Sequence, residues 1–236
     1  MALIHRAAVN PTKLELLTSW LPSRPWYRGG PAEQDQQGKP ELTKSGGFRL
    51  DDPQGEVGIE FIVVTDASGP RPTAYLVPLT YRGAPLDGAE HALVGIMEHG
   101  VLGRRWTYDG CHDPVLVAQL LALIEGRVQA QDQNTSNTPD REVTRSYTGE
   151  GVASANSAAF AATATDDQEG TALAVPNGAV LRLHRALQPT QDDPPPLPQG
   201  ATGHVSGSWH MLDDTPARGL FAVLHTSFGR DQGDRI

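Results

Sequence analysis

The chain has 236 residues, 38% of them hydrophobic, with 25 glycines and 19 prolines, so it can bury a real core while giving much of its length to loops. A net charge of −9, with arginines scattered among acids and not gathered in a stripe, argues against nucleic acid and anionic membrane as partners. The single cysteine, Cys111, leaves no internal disulfide framework. The opening Met1 to Val9 does not read as a secretory signal, and the longest apolar run, Val115 to Ile124, falls short of the roughly 20 residues of a membrane span. A cytoplasmic protein is expected.

Asn10-Pro11 predicts a helix start, with Asn as N-cap and Leu14, Leu17 and Leu21 on one face; Pro22 and Pro25 end it. Gly29 to Gly47 reads as an exposed loop. Val57, Ile59, Phe61 and Val63 alternate as in a half-buried strand, a Ser68-Gly69-Pro70 turn follows, and Tyr75, Val77, Leu79 and Tyr81 alternate again. Pro78 suggests that this second strand is an edge or is bulged. Leu93 to Met97 and Val101 to Tyr108 predict a hairpin around His99-Gly100. Asp113-Pro114 opens the strongest helix, with Val117, Leu120, Leu121, Ile124 and Val128 at helical spacing.

From about Gln129 to Gly170 the chain turns to Ser, Thr, Ala, Asn and Asp, which predicts a flexible linker. Order resumes in a hairpin from Leu173 to Leu183 about Pro176-Asn177-Gly178, and in a last hairpin of His204 to Leu212 with Gly219 to Ser227. The expected organisation is a first unit over 1–128, a linker over 129–170 and a small β-rich unit over 171–236. The expected class is α+β, a twisted antiparallel sheet packed by helices.

The stretch from Leu17 to Tyr27, with Trp20-Leu21-Pro22 and then Arg24 and aromatic residues, resembles the opening of the N-terminal cap of actinobacterial maltokinases. Tyr75-Leu76-Val77-Pro78-Leu79, His91 to Gly95 and Tyr108 to Pro114 continue the resemblance in order, over roughly residues 14 to 128. It implies a cystatin-like curved sheet with a packed helix. Leu181 to Pro189 and Gly203 to Trp209 are similar to the ATP-binding small lobe of the same kinases. The resemblance implies a phosphate-contacting Lys, where this chain has Arg182, and a bracing helix, where it has the Pro-rich segment after Pro189. About 27 residues follow Trp209, and no segment supplies the family's catalytic loop or metal-binding Asp. No catalytic residue, metal or cofactor is therefore expected.

Candidate chemistry outside the resemblance is thin. Glu90, His91, Glu98, His99, His112 and Asp113 lack the tight spacing of a metal motif. Cys111 beside His112 suggests a thiol nucleophile, but adjacent turn residues seldom face each other. Glu56 and Glu60 sit too far apart along a strand for glycoside hydrolysis and read as a solvated face. Arg24, Trp26, Tyr27, Arg104, Arg105 and Trp106 are the candidate interaction surface, Trp20 and Trp106 serving equally well as core anchors.

Three functions remain open: a non-catalytic cap-type interaction or regulatory module near glycogen and trehalose metabolism, a split or residual sugar-kinase component, and a carbohydrate-binding module. The partners to expect are a protein of that metabolism, a sugar or a nucleotide.

Overall fold

A computed structural model describes residues 8–29, 39–149, 163–175, 178–191 and 196–225. The first helix starts later than Asn10-Pro11 suggests. Asn10 lies in the short strand β1 (Val9–Asn10), and Thr12 is the N-cap of α1 (Lys13–Trp20). The reason is a capping box: Glu15 N donates to Thr12 Oγ1 while Thr12 N donates to Glu15 Oε2, so two otherwise unpaired amides are satisfied. Pro22 then turns the chain through a single 3₁₀ turn, Leu21–Ser23.

Part of the expected loop before Gly47 is strand β2 (Leu42–Leu50), which pairs with β3 (Gly58–Asp66). Its Gly and Lys content hid it, because its side chains alternate poorly. The next strand is β4 (Thr73–Arg82), and it is central, not an edge. Pro78 is tolerated because the amides of alternate residues face one side. Leu76 N donates to the Arg185 carbonyl, and the ladder to β6 (Gly103–Asp109) begins only at Leu79, so Pro78 falls in the gap between them. The hairpin of β5 (Leu93–His99) with β6 forms as expected.

Helix α2 (Pro114–Glu125) is capped by Asp113, which accepts from Val115 N. It stops at Gly126 in the left-handed region at φ 77°, short of Val128. That positive φ is what favours glycine at this end, since a Cβ there would strain the backbone and also displace the Arg145 guanidinium.

The segment expected as linker is ordered over its described first part. Gln131 bridges Arg49, Ala130 is buried, and β7 (Thr144–Tyr147) pairs with β11 (Ala201–His210). Local composition predicts disorder, but partners distant in sequence supply the hydrogen bonds. Residues 150–162 of the expected linker lie outside the described residues, as do Pro176-Asn177 of the expected turn. Strands β8 (Thr163–Asp166), β9 (Gly170–Ala174), β10 (Val180–His184) and β12 (Pro216–His225) complete the described elements.

All these strands join one antiparallel sheet of 12 strands, ordered β1-β5-β6-β4-β3-β2-β11-β12-β10-β9-β8 with β7 beside β11. The fold is a sheet-rich α+β arrangement with few helices. Two side-chain layers form on it. Glu60, Ile62 and Val64 of β3 face α1, whereas Ile59, Phe61 and Val63 face α2, as period-two alternation demands. The larger core mixes Phe48, Leu76, Leu116 and Leu120 with Leu173, Leu181, Trp209 and Phe221, so residues on both sides of the expected boundary share one interior. Gly203 lets α2 approach: a Cβ there would lie 2.6 Å from Ile124.

Candidate functional site

Arg182, the residue matched to a phosphate-contacting Lys, projects from β10 into an acidic turn. Nη1 and Nη2 donate to the two Asp167 oxygens, each at 2.6 Å, and Nη2 lies 3.4 Å from Glu169. A bidentate fork of this kind is the strong form of the Arg–carboxylate pair. The hydrogen bonds from Arg182 hold Asp167 down to a pKa of about 2. The guanidinium is thus already occupied by protein carboxylate.

The expected interaction residues do not form one patch. Trp26 is wholly buried, a correction to its expected surface role; it packs on Trp20 and Tyr75, and the Arg185 guanidinium stacks over its ring at 4.9 Å. Burying this large ring between α1 and the sheet stabilises more than exposing it would. Arg24 is half-buried and stacks on Trp20 at 4.8 Å. Tyr27 is half-buried, its hydroxyl donating to Asp66 Oδ2 at 2.6 Å. Burial and the Asp66 carboxylate push that phenol well above its ordinary value.

In the β5–β6 hairpin, Arg104 and Glu98 pair at 2.8 Å across the two strands while both stay exposed. Arg105 donates to the Arg104 carbonyl, and Trp106 is half-buried against Leu86, Leu93 and Tyr108. Ile96, opposite Trp106, and Val101 and Leu102 at the hairpin tip are exposed apolar groups.

The candidate metal residues are dispersed. Asp113 is bound by Arg82 at 2.6 and 2.7 Å, Glu98 pairs with Arg104, and His99 Nδ1 accepts from Val101 N and Leu102 N. Only His91 and His112 meet, ring nitrogens 3.1 Å apart. Among the described residues, no group of three or more His, Cys, Asp or Glu is placed to hold a metal ion.

Cys111 is buried, and burial pushes its thiol well above the ordinary range, so it is held as neutral thiol and not as nucleophile. Glu60 is not on a solvated face. It is buried beneath α1, accepting from Lys13 Nζ and from Tyr81 at 2.6 Å, and although burial opposes its charge, those two donors hold its pKa below the usual value.

Sequence reasoning missed the most buried ionic group. Arg185 is fully buried at the end of β10, with Nη2 on both Asp109 oxygens and 3.2 Å from Cys111 Sγ, and Nε on Thr171. Thr171 in turn donates to Asp166. The available signal was that Arg185 directly follows the alternating segment Leu181 to His184 and precedes Ala186-Leu187, since an Arg placed among core-facing residues needs an acid partner.

Comparison with known families finds a match over one stretch of the chain. Residues 20–113 match the family model of the maltokinase N-terminal cap domain. The cap match spans the end of α1 through Asp113, and so includes β2 to β6, Trp26, Tyr27, Asp66 and Asp109. Arg182 and Arg185 lie outside the matched stretch. No curated protein matches the chain. Among the described residues no helix is long and apolar enough to cross a membrane.

Proposed function

We propose that the chain is a non-catalytic interaction or regulatory module built on a maltokinase-type cap, acting beside the enzymes of glycogen and trehalose metabolism. The pathway assignment follows the family resemblance, with the cap taken as a cystatin-like curved sheet and residues 171–225 as a remnant of a kinase small lobe fitted onto it. One observation carries the non-catalytic part: the cation matched to the ATP phosphates, Arg182, is held in a bidentate fork by Asp167. An incoming phosphate would have to displace that carboxylate before making any contact of its own.

The partner face is assigned to the outer β5–β6 hairpin, where Arg104 and Arg105 stand beside exposed Ile96, Val101 and Leu102. Arginine beside apolar anchors is the residue mix that dominates binding hot spots.

The test is ATP binding and magnesium-dependent phosphorylation of maltose by the purified chain, with Asp167→Ala as a second sample. The expected result is neither binding nor turnover in the native chain. Turnover that needs magnesium and disappears in Arg182→Ala overturns the reading in favour of a kinase component. Binding of ATP only after Asp167→Ala supports it, since the native fork is then what blocks the phosphate.

A further inference from the structure

Five arginines of this acidic chain are taken by carboxylates: Arg82 by Asp113, Arg104 by Glu98, Arg127 by Glu125, Arg182 by Asp167 and Arg185 by Asp109. Arg28 and Arg71 differ. Both are exposed, and among the described residues neither guanidinium has a hydrogen-bond or ion-pair partner. Yet the two line the same cavity, about 210 Å³ in volume, together with Gly29, Asp66, Gly69 and Thr73.

Asp66 in that cavity would ordinarily capture an arginine. It does not, because its oxygens are already used: Oδ2 accepts from the Tyr27 hydroxyl at 2.6 Å, and Oδ1 from Glu41 N at 3.0 Å and Ser68 N at 2.9 Å. Burial opposes its charge, but these donors hold Asp66 below the usual carboxylate range, so it stays ionised and satisfied. Gly29 seals the arrangement. A Cβ at that position would fall 2.2 Å from the Tyr27 hydroxyl and 2.4 Å from Asp66 Oδ2, so only glycine lets the main chain run this close to the carboxylate. The wall is further fixed by Arg28 N, which donates to the Tyr75 hydroxyl at 2.9 Å. The backbone carrying Arg28 is therefore anchored while its side chain has no partner among the described residues.

We propose that Arg28 and Arg71 form a clamp for one tetrahedral oxyanion, carried as free phosphate or as the phosphate of a small monoester. Two guanidinium forks offer the planar, multi-donor geometry that phosphate oxygens accept. Pockets for drug-sized ligands span about 300–1,000 Å³. A cavity of about 210 Å³ has room for one phosphate with a few attached atoms. The site lies on the cap, apart from Arg182, and does not depend on the role proposed for the module.

The experiment is isothermal titration of the full chain at low ionic strength with inorganic phosphate, with phenyl phosphate and with chloride. Saturable binding of a phosphate probe is expected, weakened about tenfold or more by Arg28→Gln and by Arg71→Gln and unchanged by Arg141→Gln, an exposed arginine outside the cavity. Equal affinity for the two phosphate probes assigns free phosphate as the ligand; tighter binding of phenyl phosphate assigns a monoester. Both clamp residues are exposed, so an unchanged thermal midpoint in the variants separates lost binding from lost fold. The proposal is overturned by the absence of saturable phosphate binding, by chloride binding equally well, or by Arg141→Gln weakening it as much as the clamp variants.

Discussion

Arg185 Nη2 donates to both oxygens of Asp109, at 2.8 and 2.6 Å, although 76 positions separate the two residues in the chain. Asp109 ends β6 within the cap match, and Arg185 follows β10 outside it. Both are buried, and the carboxylate keeps the guanidinium charged against the cost of removing it from water. Two neighbouring backbone bonds, Leu76 N to the Arg185 carbonyl and Leu187 N to the Ala74 carbonyl, fix the same junction.

Removing one partner should leave a buried charge uncompensated. Arg185→Met and Asp109→Asn are each expected to cost about 3–5 kcal/mol. The double variant Asp109→Asn with Arg185→Met should cost less than the sum of the two, because neither charge then remains. Urea denaturation of the four proteins, treated as a double-mutant cycle, measures the coupling; additive losses would contradict it.

This pair also marks how far the sequence could be read. Strands β3 to β6 and helix α2 were legible because Val57 to Val63, Tyr75 to Tyr81 and Val117 to Ile124 carry clear period-two or helical patterns. Strand β2 was not, since Lys44, Gly46 and Gly47 break its alternation and its order comes from pairing with β3. Strand β7 was hidden for the same reason, Thr144 to Tyr147 being stabilised by β11 some sixty positions later. Of the candidate site, Arg182 could be chosen from the sequence but its capture by Asp167 could not. No local pattern reports which distant acid a side chain will meet.

The Arg182 fork carries a pH signature. Asp167 has a folded pKa of about 2, below the roughly 3.8–3.9 of an unfolded Asp, so the stability it contributes is present above pH about 4 and is lost as pH falls toward 2. Asp167 is largely exposed, so solvent screening keeps the effect small. Carboxyl NMR titration should find the depressed value in the native chain and a near-ordinary value in Arg182→Ala.

Three histidines set a second window. Burial lowers the pKa of His112, His184 and His204. Among the described residues, the buried His184 Nε2 and His204 Nδ1 have no hydrogen-bond partner, so a proton added to either meets no acceptor there. The folded state therefore holds fewer protons than the unfolded one around the ordinary value of about 6.5, and stability should fall as pH drops from about 7 to 5. Denaturation midpoints across that range measure the slope, and His204→Gln should flatten it. A slope unchanged by that substitution would remove His204 from the account.

The shared core makes a prediction about fragments that bears on every binding experiment. A chain ending near residue 128 keeps the cap match but loses Leu173, Leu181, Leu183, Val205, Trp209, Phe221 and Leu224 from the larger core. Phe221 stacks beside Phe48 at 6.1 Å, and Ile124 of α2 lies against Gly203, so the cap side of this interior would face water. Burying a single large apolar side chain contributes about 1.5–3 kcal/mol, whereas a whole domain is stable by only about 5–15 kcal/mol. Several such losses together exceed what the fragment can offset. Residues 1–128 alone should therefore oligomerise or bind a hydrophobic dye strongly, without a cooperative unfolding transition, while the full chain remains monodisperse. Size-exclusion chromatography and dye fluorescence on both proteins decide it. A monomeric, cooperatively unfolding fragment would mean that the cap stabilises itself without the β9 to β12 strands and would restore the expected boundary near residue 128.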